Sequence, residues 1–75
     1  MSKYNGHKNW NHWNVSLWIN NHEFYYILAS NLCRQFKKEK AAEIMLEMLK
    51  SDGITKTPDG APYSKSSIRS AMIGL

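Results

Sequence analysis

The apolar positions between residues 41 and 49 recur with helical spacing. Ala42, Met45, Leu46 and Leu49 follow i, i+3, i+4, i+7, and Ala41, Ile44 and Met48 widen the stripe. Upstream, Phe24, Ile27, Leu28, Leu32 and Phe36 form a second broad face, predicting a helix over about 21–36. Asn20 followed three residues later by Glu23 reads as a capping box that opens it. Residues 10–19 carry two patterns: Val15, Leu17 and Ile19 alternate as in a strand, while Trp13 with Leu17, and Val15 with Trp18 and Ile19, fit a helical face. A short helix is the preferred reading, because a lone strand would lack a partner. At the other end, Ser64 is placed to cap a helix that turns Ile68, Ala71, Met72 and Leu75 inward and Lys65, Ser66, Ser67, Arg69 and Ser70 outward.

The segment between the last two helices reads as turns. Gly53 suits the left-handed position that closes a helix. Pro58-Asp59-Gly60 bends the chain between Ile54-Thr55-Lys56-Thr57 and Ala61-Pro62-Tyr63, and Pro62 restricts any strand there to an edge. The expected fold is therefore all-α, a domain of three to four helices over residues 10–75 with a short hairpin-like bend before the last helix. Residues 1–9 are polar and aperiodic and read as a flexible arm. The expected core is Leu17, Trp18, Phe24, Ile27, Leu28, Leu32, Met45, Leu46, Leu49, Ile68 and Met72.

With 75 residues, the chain is one domain, expected to bury only about 60% of its unfolded surface. Three Trp, four Tyr and two Phe partly offset that small size. A monomer, or a homodimer covering a leftover apolar face, fits these numbers. Cys33 is the single cysteine, so no intramolecular disulfide forms, and no Cys/His set has zinc-site spacing. No cofactor or metal is expected, and the setting is read as reducing and cytoplasmic. No apolar h-region opens the chain and no stretch approaches a membrane span, so neither secretion nor membrane embedding is expected.

Ten Lys and Arg against six Asp and Glu leave a net charge of +4, which suits an anionic partner. A helix, a Gly-closed turn and a second helix with a polar, basic outer face make residues 41–75 a helix-turn-helix-like unit. Lys65 and Arg69, one turn apart, supply cations for phosphate, and Ser66, Ser67 and Ser70 supply short hydroxyls that allow close approach. Arg34, Lys37 and Lys38 form a second basic group suited to clamp phosphate, whereas Glu39, Glu43 and Glu47 form an acidic stripe expected to face away from DNA. The leading expectation is thus a non-enzymatic protein that binds double-stranded DNA. The alternative is a protein-binding module using Tyr4, His7, Trp10 and His12, because the first 26 residues are dense in Trp, Tyr and Asn. No nucleophile, base and orienting group can be assembled, so no enzyme is expected.

Two resemblances bear on this. The pattern Ala42 to Leu49, Gly53-Ile54-Thr55, Thr57-Pro58-Asp59-Gly60, Tyr63-Ser64, Ser67-Ile68-Arg69 and Met72 resembles a segment of the large serine recombinases, in which the last helix of such a segment contacts DNA. It implies DNA contacts at Ser64, Lys65, Ser67 and Arg69 and packing roles for Ile68 and Met72. That family's catalytic serine domain and zinc-ribbon cysteines are missing, so the chain is not a recombinase by itself. The N-terminal half, with Tyr4-Asn5-Gly6-His7-Lys8-Asn9 and Trp13-Asn14-Val15-Ser16-Leu17-Trp18, resembles small uncharacterised bacteriophage proteins. That resemblance brings no known activity; under the alternative reading, the partner is expected to be a host polymerase, nuclease or defence component in a bacterial cytoplasm.

Overall fold

A computed structural model describes residues 7–75 and shows four helices. These are α1 (Trp10–Asn21), α2 (Glu23–Gln35), α3 (Lys38–Ser51) and α4 (Lys65–Ala71). The domain is all-α, and the described residues contain no strand beyond one isolated antiparallel bridge, Lys56 to Pro62. Helix α1 touches α2 and α4, and α3 touches the same two, so the four helices close a ring in which α4 packs most extensively on α1. The expected pairing of α3 and α4 exists, but 13 residues (52–64) join them, well beyond the short turn of a compact helix-turn-helix.

Local chemistry explains the helix ends. Asn9 caps α1 by accepting from the His12 amide at 3.0 Å. His7 reaches across to Ser70, so this end of the expected arm packs on the fold, while its residues 1–6 lie outside the described residues. At the end of α3, Ile54 N–H donates to Leu49 O and Gly53 N–H to Lys50 O, both at 2.9 Å. That pair of bonds, with Gly53 at φ +75°, is a Schellman motif that satisfies carbonyls the helix leaves open. Asn20 does not cap α2. Helix α1 continues through it, and its amide instead donates to the Ser16 carbonyl and hydroxyl, while His22 holds the N-cap position of α2 without a side-chain bond.

The core is built from Val15 and Ile19 of α1, Ala29 and Leu32 of α2, Ala41, Ala42, Met45 and Leu49 of α3, and Ile68, Ala71 and Met72 at α4. Leu28 and Leu46 pack partly buried against it. Four expected core residues lie outside: Leu17, Phe24 and Ile27 are 37%, 62% and 50% exposed, and Trp18 is half-buried outside the core cluster. Alanines explain the difference. Ala29, Ala41, Ala42 and Ala71 are 0–2% exposed and let backbones approach closely, so the ring closes on the Ala29–Leu32 side of α2 and leaves Phe24 and Ile27 on its outer face.

A polar clasp fixes the 55–63 bend to α1. Asn14, 1% exposed, accepts from the Thr57 hydroxyl at 2.6 Å and donates to Asp59 at 2.9 Å. Trp18 Nε1 donates to the same Asp59 oxygen at 2.9 Å, which leaves this residue half-buried and not inside the core. Thr57 Oγ1 in turn accepts from the Ala61 amide. The bonds Thr57 N–H to Ala61 O and Tyr63 N–H to Thr55 O flank the Lys56–Pro62 pair. Pro62 thus occupies a non-hydrogen-bonded position, where its missing N–H costs nothing.

Candidate nucleic-acid interface

Packing of α4 against α1 and the first turns of α3 leaves one open cleft of about 590 Å³. Lys65, Ser66, Arg69, Ser70 and Ile73 form one wall, Lys8 and His12 another, and Glu39 enters from α3. Lys65 and Arg69 therefore share a surface, as their spacing implied, and Lys8 and His12 join them from residues distant in sequence.

The serines on this wall are already engaged. Ser66 Oγ lies 2.8 Å from His12 Nε2, and Ser70 Oγ lies 2.7 Å from His7 Nδ1. His7 and His12, expected in a protein-binding patch, are instead ligated to α4. Burial, then the nearby charges of Lys8 and His7, hold His12 below its ordinary value of 6.5, so the imidazole is neutral at pH 7.

The remaining expected contacts are placed differently. Ser67 does not face outward: it is 1% exposed and completes a capping box with Ser64. Ser64 Oγ accepts from the Ser67 amide at 3.1 Å while the Ser64 amide donates to Ser67 Oγ at 2.9 Å. The reason is position, since the third residue of a capped helix turns back toward the cap. Ser64 is exposed, but its hydroxyl serves that cap. Arg34 is exposed and bonded to Asn31, Lys37 is exposed and Lys38 half-buried, and none of the three lines the cleft. Trp10 is 39% exposed, and Tyr4 lies outside the described residues.

The acidic stripe does not face away from α4. Glu39 borders the cleft, and Glu43 pairs with Lys65 at 3.8 Å. Both partners are about half exposed, so this pair contributes about 0–1 kcal/mol and yields readily to a stronger anion. Elsewhere, burial pushes the Cys33 thiol above its ordinary value against the opposing pull of Lys38, and the raised value disfavours the thiolate. Among the described residues no group of three or more His, Cys, Asp or Glu could hold a metal ion, and no helix is long and apolar enough to cross a membrane.

Fold and cleft together define a small four-helix protein with a cationic surface cleft. The chain belongs to a family of unknown function, DUF7249, whose model matches residues 1–74. No match was found among curated proteins or among solved structures.

Proposed function

We propose that this is a non-enzymatic DNA-binding protein that contacts the phosphate backbone through the α4 cleft. One observation carries the reading: Lys65 and Arg69 on α4 and Lys8 ahead of α1 line the same open cleft. The net charge of +4 supports it by favouring encounter with a polyanion. Phosphate contact fits better than deep insertion into a groove, because α4 has only seven residues and its serines are held by histidines and by the cap. The resemblance to the serine recombinase segment agrees with Lys65 and Arg69, while Ser64 and Ser67 act within the protein.

Salt titration of duplex binding tests this. Neutralising two phosphate contacts in the Lys65→Ala/Arg69→Ala variant should lower the slope of log K against log salt by about two. Equal slopes for variant and wild type would sink the reading.

A second reading rests on Phe24 and Ile27, which stand one turn apart on the outer face of α2 at 62% and 50% exposure. Such a pair fits an apolar contact with a host protein, as expected of a phage-encoded module. A stoichiometric partner that survives nuclease treatment, and is lost in Phe24→Ser/Ile27→Ser, would favour this reading over DNA binding.

A further inference from the structure

The α4 cleft is concave, and its charges converge from separate parts of the chain. An internal phosphodiester carries one negative charge and is flanked by sugar on both sides. A terminal phosphate monoester carries about −1.5 to −2 at pH 7 and presents three free oxygens. Lys8, Lys65 and Arg69 share the cleft with Glu39, and Glu43 stands 3.8 Å from Lys65, so one positive charge is uncompensated while His12 is neutral and two once it takes up a proton. The protonated count matches a dianion in one place and not a row of single charges.

The Ser66–His12 pair adds directional chemistry. When His12 takes up a proton, Nε2–H donates to Ser66 Oγ across the 2.8 Å contact, and the Ser66 hydroxyl proton is released to point into the cleft. Guanidinium, ammonium and hydroxyl donors then surround one anion, and charge-assisted bonds of this kind are the strong ones. The Lys65–Glu43 pair is exposed enough to open as Lys65 turns to the ligand.

We infer that the cleft bounded by Lys8, His12, Lys65, Ser66 and Arg69 binds a terminal phosphate monoester dianion, so that the protein recognises phosphorylated DNA ends. The inference deepens the DNA-binding reading and rests on it for the source of the phosphate; a free nucleotide carries the same chemistry.

The test compares one short duplex with 5′-phosphate ends and with 5′-hydroxyl ends, at matched salt, using nucleoside monophosphate as a third ligand. Wild type should prefer the phosphorylated duplex by about tenfold or more. Lys8→Ala and Arg69→Ala, both at exposed positions and checked for unchanged thermal melting, should erase the preference; Lys50→Ala, away from the cleft, should keep it. Equal binding of the two duplexes overturns the inference and leaves DNA binding standing. Tight binding of the monophosphate with no binding of either duplex supports the phosphate site and overturns DNA as its source. Binding of none of the three overturns both.

Discussion

At the residue scale, Asn14 ties the 55–63 bend to the helical body. It is buried on α1 and joins Thr57 and Asp59 of the bend through one acceptor and one donor. Asn14→Ala removes both bonds and leaves the Thr57 hydroxyl without its acceptor, so a loss of about 1–3 kcal/mol is expected in urea denaturation. A variant midpoint equal to wild type would show that the clasp contributes nothing. Asp59 adds a pH dependence of definite sign. Hydrogen bonds from Asn14, then Trp18, lower its carboxyl below the ordinary value of 3.8. A depressed carboxyl contributes stability above its unfolded value and loses it as pH falls through the folded one. The midpoint difference between wild type and Asp59→Asn should therefore be full at pH 7 and be lost as pH falls below 3.8 through the folded value; a difference constant with pH would contradict the assignment.

At the scale of elements, α4 depends on its first turn. Seven residues are too few to hold a helix by propensity, so the Ser64–Ser67 capping box and the burial of Ile68 and Ala71 must do so. Ser64→Ala should cost about 1 kcal/mol and Ser64→Gly only a few tenths, because glycine tolerates the extended cap backbone and leaves the amides open to water. Thermal melts that rank the two in the opposite order would refute a capping role. This cap was legible in the sequence, as were the amphipathic face of α3 and the Gly53 stop, since all three follow from short-range rules. The inner face of α2 was not. Its apolar residues span more of the helix than two neighbours can cover, and the side that turned inward is the one carrying Ala29, which packs with the alanines of α3. The Asn20-Glu23 spacing misled for a related reason: burial of Val15 and Ile19 carried α1 past the point where a local rule would start a new helix. At the cleft, Lys65 and Arg69 were visible from their one-turn spacing. Lys8 and His12 were hidden, because only the packing of α1 on α4 brings them there.

For the whole molecule, the ring of helices decides how charge is shared. Closing α4 between α1 and α3 brings Glu39 and Glu43 toward Lys65, reducing the basic surface, and brings in Lys8 and His12, restoring it. The outcome is a cleft whose charge depends on pH through His12. In the free protein, burial and the neighbouring Lys8 and His7 disfavour the imidazolium. Its depressed value means that it contributes stability above pH 6.5, lost as pH falls through the folded value. A phosphate in the cleft reverses the preference, since an anion within reach of the ring favours the charged form. Binding is then coupled to proton uptake, and affinity should rise as pH falls from 8 through the interval between the bound and free values of His12. A phosphodiester duplex does not titrate in that interval, so it reports the protein alone. At constant ionic strength, duplex affinity should be about tenfold higher near pH 5.5 than at pH 8. His12→Gln keeps a hydrogen-bonding side chain beside Ser66 but cannot take up the proton, so its profile should be flattened while its salt slope at pH 8 stays that of wild type. Parallel pH profiles for the two proteins would remove His12 from the binding site and leave Lys8, Lys65 and Arg69 as its only cations.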